Sequence, residues 1–172
     1  MALLTDEVRR YIGHKGDRFA ACEVVQDSEV RRFCQAIMDP DPAYAGGRDA
    51  ASGTGRTAPP LFPVFVFRTP SDAPDMLTVR ASDPDFDGLT PGVGNGLPEL
   101  PLRGLRLLNG GAEVEFFQSA EVGDRVFQQS TYADIVEKSS KSGPMLLVTI
   151  DTLYTNQRRE PLVRYRRTQI RR

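Results

Sequence analysis

The second half of the sequence is a succession of segments with strand composition. Val, Ile, Thr, Tyr and Phe are frequent in AEVEFFQS (112–119), RVFQQSTYADIVEKSSKSG (125–143), PMLLVTIDTLYTNQ (144–157) and EPLVRYRRTQIRR (160–172). Turn-prone GD, KSGP and NQRRE stretches separate these segments. Strands joined by short turns pair antiparallel with their neighbours in the chain. The sequence therefore predicts an antiparallel meander of four strands.

The third of these segments has the pattern of a strand near the middle of the sheet. Its alternate residues Val148, Ile150, Thr152 and Tyr154 share one face. The opposite face is mixed and holds Leu147, Thr149, Asp151 and Leu153. One covered face and one mixed face predict a central position for this strand.

An amphipathic helix is predicted near the beginning of the chain. The apolar run RFAACEVV (18–25) suits a first strand, and the Asp27-Ser28 pair that follows can cap a helix. The helix carries an apolar stripe at helical spacing: Val30, Phe33, Cys34, Ile37 and Met38. The DPDP stretch (39–42) ends it, because proline has no amide hydrogen and disfavours helical angles in the residue before it. Helix and sheet together indicate the α+β class.

The segment APPLFPVFVF (58–67) is apolar in every direction. Periodicity alone does not separate strand from helix in such a run. Pro59 and Pro60 suit the first turn of a helix, so we expect a buried helix here, with Pro63 compatible only if the helix starts late. Residues 69–107 are rich in proline and glycine, and we expect a long irregular excursion. Its GVGNG stretch (92–96) follows no clear strand, and LPELP after it cannot open a helix, so nucleotide binding is not expected.

Size and charge narrow the class of protein. With 172 residues, 22 basic and 23 acidic, the chain fits a single domain spanning 1–172 and has no net charge that would attract nucleic acid or an anionic membrane. The first residues lack the apolar run of a secretory signal, and no stretch approaches the ~20 apolar residues of a membrane span, so a cytoplasmic location is predicted. Cys22 and Cys34 lack CxxC spacing and are expected to be buried free thiols, and neither a metal nor a cofactor is predicted.

The basic ending LVRYRRTQIRR (162–172) could supply phosphate contacts to a nucleic acid. Its residues alternate as in a strand, however, with Val163, Tyr165 and Arg167 on one side. We therefore expect a sheet strand whose arginines face solvent, coenzyme A or a partner subunit rather than a nucleic-acid site.

Five stretches, taken in order, resemble the MaoC-like dehydratase family, and most closely its amino-terminal, fatty-acid-synthase-type branch. They are MDPDPAY (38–44), the APP-plus-aromatic run (58–67), LNGGAEVEF (108–116), VGDRV (122–126) and DIVEKSSKSGPMLLVTIDTLYTNQ (134–157). The resemblance implies a hot-dog fold, in which a long antiparallel sheet wraps around a central apolar helix. It also implies that two such domains pair, as homodimers, heterodimers or a fused chain, to form tunnels for acyl thioesters of coenzyme A or acyl carrier protein.

Catalytic members of that family hydrate or dehydrate (R)-3-hydroxyacyl thioesters with a D-x-N-P-x-H motif, in which Asp and His activate the water. Asp39 matches the Asp, Asp41 stands in the Asn position, Pro42 matches, and Tyr44 replaces the His. For a phenol with a pKa of about 10, the ionised fraction at pH 7 is roughly 10⁻³. Using the phenolate as base therefore adds about 4 kcal/mol to the activation free energy. The family's base is therefore missing. His14, the one histidine, lies before the first strand and is expected at the surface.

Further site candidates follow from the same resemblance. Relatives polarise the thioester carbonyl with backbone N–H groups at the start of the central helix, where this chain has Ala58, Pro59 and Pro60. Pro60 and Phe62 are candidate substrate contacts in that stretch. Asp41 in the motif is a further candidate substrate contact. Asn109 stands where relatives often have histidine and is a candidate at the rim of the site, with a turn role for Asn-Gly as the alternative.

Three hypotheses for function remain open. The first is a non-catalytic, acyl-chain-housing subunit of an (R)-specific enoyl-thioester hydratase or dehydratase, paired with a MaoC-like subunit that carries the Asp/His motif. The second is a homodimeric acyl-CoA binding protein without chemistry. The third is a dehydratase that uses Tyr44 as acid and Asp39 as base, which requires a carboxylate shielded from water.

Overall fold

The computed structural model describes residues 2–45, 56–68, 72–84, 96–102, 104–141 and 143–172. Its helices are α1 (Asp6–Arg9), α2 (Asp27–Ile37), α3 (Pro42–Ala45) and α4 (Met76–Arg80), with a 3₁₀ turn at Phe62–Val64. Its strands are β1 (Phe19–Ala20), β2 (Leu107–Phe116), β3 (Phe127–Ser140), β4 (Gly143–Thr155) and β5 (Pro161–Arg171). No helix within these ranges is long and apolar enough to cross a membrane. Except for Gly96, the GVGNG stretch lies outside the described residues.

The five strands form one antiparallel sheet in the order β1-β3-β4-β5-β2. β3, β4 and β5 form the predicted meander, and β4 takes the predicted central position. The prediction for β2 was wrong, because this strand pairs with β5 instead of β3. Reciprocal backbone hydrogen bonds between Arg106 and Arg172 fix the start of β2 beside the end of β5. The edge of β3 that faces away from β4 is not available to β2. It pairs with β1, and its Tyr132 carbonyl accepts a hydrogen bond from Gly13 N–H.

The face of β4 that carries Val148, Ile150 and Tyr154 is the inner face of the sheet, and two apolar clusters cover it. The first cluster contains Val25, Val30, Cys34, Ala58, Phe62, Ala120, Val126, Tyr154, Leu162 and Val163. The second contains Val8, Leu97, Leu100, Leu102, Tyr132, Ile135, Leu146, Val148 and Ile150. Three of these leucines come from the region predicted as an irregular excursion, which therefore contributes to the core and also contains the short helix α4.

Helix α2 has the predicted extent and buries Val30 and Cys34 against the first cluster. Its N-cap is Gln26 without a side-chain cap hydrogen bond. The predicted Asp27-Ser28 cap does not form, because both residues lie within the first turn of the helix. The Asp27 carboxylate pairs with the Arg56 guanidinium at 2.6 Å. Met38 ends the helix in the left-handed conformation, with φ of 55°.

The predicted helix over 58–67 does not form, since this stretch contains only the three-residue 3₁₀ turn. Its hydrogen bonds run from Phe62 N–H to the Pro59 carbonyl and from Phe65 N–H to the Phe62 carbonyl, the spacing of a 3₁₀ turn. Continuation as an α-helix would need an amide donor at Pro63, which proline lacks. The segment still packs into the first cluster through Ala58 and Phe62, so its burial was predicted and its conformation was not.

The first strand is shorter than predicted, covering Phe19–Ala20 of the expected 18–25. The chain after it bonds instead to the loop before β3: Ala21 N–H donates to Val126 and Val25 N–H donates to Asp124, both at 2.8 Å. Both cysteines are free thiols, and Cys34 is buried as expected. Cys22 is exposed, contrary to the prediction, because the strand that was to bury it ends two residues earlier.

Candidate functional site

The motif residues Asp39 and Asp41 lie in the turn between α2 and α3, and backbone amides bind both carboxylates. Asp41 N–H donates to the Asp39 Oδ1 at 3.0 Å, and Ala43 N–H donates to the Asp41 Oδ1 at 2.9 Å. These bonds fix the turn in which Pro42 opens the four-residue α3. The structure therefore brings Asp39, Asp41 and Tyr44 together within one short segment.

Tyr44 is half-buried against the first apolar cluster. Burial raises the pKa of its phenol, and the carboxylates of Asp41 and Asp39 and the Cys34 thiol raise it further. A raised pKa keeps the phenol protonated at neutral pH. Tyr44 can donate a hydrogen bond in this position, but its environment opposes the phenolate that a general base would need.

A shallow groove of ≈ 370 Å³ runs beside the motif on one side of α2. Its walls are formed by Arg31, Cys34, Gln35, Met38, Asp39 and Pro40. Met38 is 85% exposed, and Ile37 beside it is also exposed, so the end of the predicted apolar stripe faces away from the core. Asp39 thus lies at the edge of an open surface with apolar side chains.

A larger groove of ≈ 540 Å³ lies on the other side of α2, between this helix and residues 62–68. Its floor is aromatic, since the Phe33 ring lies 5.4 Å from those of both Phe62 and Phe65. Its rim is charged, and Glu29 pairs with Arg32 at 3.3 Å and with Arg68 at 3.4 Å. We call this the aromatic groove.

The predicted substrate contacts are thus divided among three places. Phe62 lines the aromatic groove, and Pro60 is half-buried just before it without lining it. Helix α2 separates that groove from the motif segment with Asp39 and Asp41. Asn109 is in β2, where its Oδ1 accepts from Gly111 N–H at 2.9 Å across a β-bulge. The predicted turn role for Asn-Gly is replaced by this bulge within a strand.

The start of the 58–67 segment offers few amide donors. Ala58 N–H donates to the Ala120 carbonyl at 2.8 Å, and Pro59 and Pro60 have no N–H. An oxyanion hole needs preorganised donors that converge on one oxygen. Residues 58–60 do not supply such a pair. His14, the other group considered in the sequence, is exposed on the amino-terminal segment beside β3.

Sequence reasoning missed the inner-face position of Arg167 as a candidate. Arg167 pairs with Ile150 of β4 and Ala112 of β2, so its side chain shares the inner face with Tyr165. The alternation of β5 already placed Arg167 with Val163 and Tyr165 and opposite Arg164. The sequence did not reveal that this face is the covered one, because arginines occur on both faces.

In the comparison with protein families, the model described as FAS1-like, dehydratase domain region matches residues 10–165. The chain belongs to this dehydratase family. A search of curated protein sequences finds no match.

Solved structures similar to this dehydratase-family chain have the hot-dog fold. The ChsH1-ChsH2 complex from Mycobacterium tuberculosis matches with a TM-score of 0.66 and 13% identity, over 96% of this chain and 88% of that one. The MaoC-like dehydratase from Rhodospirillum rubrum matches with a TM-score of 0.56 and 22% identity, over 91% of this chain and 92% of that one. The HadBC (3R-hydroxyacyl-ACP dehydratase) complex from Mycobacterium tuberculosis matches with a TM-score of 0.57 and 16% identity, over 93% of this chain and 96% of that one. The predicted family and α+β hot-dog fold are confirmed.

Proposed function

We propose that this chain is the non-catalytic subunit of an (R)-specific enoyl-thioester hydratase or 3-hydroxyacyl-thioester dehydratase. The observation that carries the proposal is Tyr44 in the position of the motif histidine. Its phenol is half-buried, and burial and two neighbouring carboxylates raise its pKa. A water-activating base must be able to accept a proton near neutral pH. The Tyr44 phenol already carries its proton at that pH and therefore cannot accept one from water.

The stretch before the aromatic groove supports the same conclusion. Residues 58–60 contain two prolines and an amide that is already bonded to Ala120, so they lack the donors that would stabilise a thioester oxyanion. Base and oxyanion donors are both absent from the places where the family motif would put them. A catalytic partner that supplies both would make this chain a supporting subunit.

The open end of the sheet supports a partner. β2 is an edge strand that pairs only with β5 among the described strands, and Val114 and Phe116 on its inner face are exposed. An exposed apolar edge strand favours pairing with another sheet. Two of the similar structures, ChsH1-ChsH2 and HadBC, are named as complexes. We propose that a hot-dog subunit with the Asp/His motif completes the sheet at β2.

The aromatic groove is the proposed site of the acyl chain. Its ≈ 540 Å³ lies in the range of small-molecule sites, and an apolar floor with a charged rim suits a hydrocarbon chain attached to a polar carrier. Phe62 and Phe65 would contact the chain, while Arg32 and Arg68 lie at the rim where the carrier would leave. In this proposal the whole chain, 1–172, acts as one domain.

The test is hydration of crotonyl-CoA by the purified chain and by its complex with the co-purified MaoC-like subunit. We expect no enzymatic rate from the chain alone. In the complex, Asp39→Asn and Tyr44→Phe in this chain should each leave the rate within about twofold, because neither side chain does chemistry. A loss of 100-fold or more with Asp39→Asn would instead support the Asp39/Tyr44 dehydratase.

A second candidate function is acyl-CoA binding without chemistry by a homodimer. The observation in its favour is that neither Asp39 nor Tyr44 lines the aromatic groove, so an acyl chain bound there would lie apart from the motif residues. Recovery of the chain from cells as a homodimer that binds butyryl-CoA, with no catalytic partner, would favour this candidate. Recovery with an Asp/His subunit would favour the first.

A further inference from the structure

The outer face of the sheet carries charged side chains whose sign alternates from strand to strand. Asp151 of β4 pairs with Arg166 of β5 at 3.0 Å and with Arg164 of the same strand at 3.7 Å. Glu113 of β2 is the register partner of Arg166. Glu115 of β2 is the register partner of Arg164 and pairs with it at 3.4 Å. The charges are therefore negative on β4, positive on β5 and negative on β2.

Glu113 and Glu115, which we call the β2 carboxylates, have cations on one side only. The arginines of β5 lie between acidic residues on both sides: the hydrogen bond to Asp151 raises the pKa of Arg166, and the β2 carboxylates raise it further. On their other side the β2 carboxylates are exposed, since β2 is an edge strand within the described sheet. Opposite charges on adjacent strands stabilise an antiparallel pair, and like charges directly opposite destabilise it. The pattern predicts a basic strand as the next one.

The backbone of β2 shows which residues a further strand would bond. Phe117 N–H donates to the Leu162 carbonyl at 3.0 Å, so the odd-numbered residues just before it also face β5. Ala112, Val114 and Phe116 therefore direct their N–H and C=O groups towards the edge that is free among the described strands. A β-bulge precedes Ala112 and the strand ends at Phe116. The regular open edge is thus residues 112–116.

This alternation sets the β2 carboxylates where facing side chains are closest. An added antiparallel strand would form its hydrogen bonds with Ala112, Val114 and Phe116. Glu113 and Glu115 would then occupy non-hydrogen-bonded pairs, in which the Cα atoms approach to about 4.5 Å. The charge of the residues opposite them should therefore have a direct effect on the strength of pairing.

A second copy of this chain meets the β2 carboxylates with like charge. The two-fold axis that pairs β2 antiparallel with itself is perpendicular to the sheet, so outer face continues into outer face. Glu113 and Glu115 of one copy would lie opposite the same two residues of the other. The apolar inner residues Val114 and Phe116 favour this self-pairing, and the carboxylates of the outer face oppose it.

We propose that the open edge of β2 binds an edge strand that carries lysine or arginine on its outer face, opposite Glu113 and Glu115. The inference rests on the proposed function for the identity of the partner, the catalytic hot-dog subunit, and adds the charge of its interface strand. A basic strand continues the alternation of sign that β4, β5 and β2 begin. It also selects the catalytic subunit over a second copy of this chain, because a second copy offers the β2 carboxylates no opposite charge.

Removal of both charges should change the two associations in opposite directions. At about 50 mM salt, sedimentation equilibrium should show that Glu113→Gln/Glu115→Gln self-associates about three- to tenfold more tightly than the wild type. When the co-purified catalytic subunit is titrated and crotonyl-CoA hydration is followed, the same variant should need about three- to tenfold more chain for the half-maximal rate. Both differences should largely disappear at about 500 mM salt, because ions screen exposed charges. Glu99→Gln/Glu121→Gln, at exposed positions outside β2, is the matched control and should change neither association.

A second variant replaces the partner by a known basic strand. Glu113→Lys/Glu115→Lys, labelled with ¹⁵N and mixed with an equal amount of wild type, should form mixed dimers well above the half expected from random pairing. Native mass spectrometry separates the three dimers by mass. A random distribution at about 50 mM salt would overturn the charge selection.

The outcomes distinguish this inference from the proposed function. If the wild-type chain stimulates the catalytic subunit and the Gln variant changes both associations in the same direction, or changes neither, the role of the β2 carboxylates is overturned and the proposed function stands. If the wild-type chain gives no stimulation, the proposed function is contradicted. Tighter self-association of the Gln variant and an excess of mixed dimers would then still support a basic partner strand, and their absence would overturn it as well.

Discussion

β4 and β2 are long strands of the same sheet, and their inner faces have opposite surroundings. On β4, Leu146 and Val148 are 0% exposed beneath the second apolar cluster. On β2, the apolar residues of the same face, Val114 and Phe116, are 37% and 52% exposed. Both strands alternate in the way that predicts one covered face, but the described chain covers only one of them.

This difference indicates that the sheet is completed in two ways. Its β3-β4 part is closed by the chain's own helices and by Leu97, Leu100 and Leu102. Its β2 part keeps an apolar face and an edge that is free among the described strands, and both features favour association with another surface. The two parts should therefore differ in stability, in association and in titration.

The largest effect is expected from a cavity under β4. Leu146→Ala removes a fully buried side chain and should lower the free energy of unfolding by about 2–5 kcal/mol. Val114→Ala, on the exposed face of β2, should change it by less than about 0.5 kcal/mol in the monomer. Urea unfolding at low protein concentration measures both. Equal losses would show that the two faces are equally covered.

Association should depend on β2 and not on the outer face of β4. The isolated chain is expected to form homodimers through the open edge, and Phe116→Glu should weaken this association by about ten- to a hundredfold, because it places a charge in an apolar contact. Leu153→Glu is the control, since Leu153 is exposed on the opposite face. Sedimentation equilibrium measures the dissociation constants. An unchanged constant for Phe116→Glu would place the interface elsewhere.

The covered part of the sheet should show its burial in alkaline titration. Burial raises the pKa of Tyr132 and of Tyr154 to about 12, compared with about 10 in an unfolded chain. Below pH 10 both states keep the phenolic protons. Between pH 10 and 12 the unfolded state loses them first, so stability should fall, by on the order of 2 kcal/mol per tyrosine. The Tyr132→Phe/Tyr154→Phe double variant, which cannot titrate there, should lack this part of the decrease.

The smallest effect separates these two tyrosines at pH 8. Tyr132→Phe loses the hydrogen bond to the Pro98 carbonyl and should cost about 1 kcal/mol. Tyr154→Phe loses a hydroxyl with no partner in the described chain and should be nearly neutral without ligand. Chemical unfolding of the single variants measures the difference. A larger cost for Tyr154→Phe would mean that its hydroxyl forms a hydrogen bond in the folded protein.

Sequence reasoning worked where burial imposes a period. The alternation from Val148 to Tyr154 and the helical stripe from Val30 to Cys34 correctly predicted β4 and α2, because each buries one face. It did not predict the conformation of 58–67, since an apolar run has no period and Pro63 breaks the α-helical bonding. The partner of β2 is set by the distant Arg106–Arg172 bonds rather than by its own turn.

The site was predicted only in its local parts. Asp39, Asp41 and Tyr44 come together because they are near neighbours in the chain, and the turn after α2 fixes them. Phe62 and Asn109 lie on two separate surfaces: Phe62 lines the aromatic groove beside α2, and Asn109 lies in the edge strand β2. These positions depend on tertiary packing, which the local sequence does not specify. Arg167 was assigned to a strand, but a pattern with arginines on both faces does not reveal which face is covered.

The most direct test of the account is a titration of the catalytic MaoC-like subunit with this chain while the initial rate of crotonyl-CoA hydration is followed. We expect the rate to rise with added chain and to reach a plateau at a 1:1 ratio, with the chain alone inactive and Phe116→Glu shifting the plateau to higher concentration. A rate from the partner that does not change on addition, or an enzymatic rate from this chain alone, would contradict its role as the supporting half of a heteromeric enzyme.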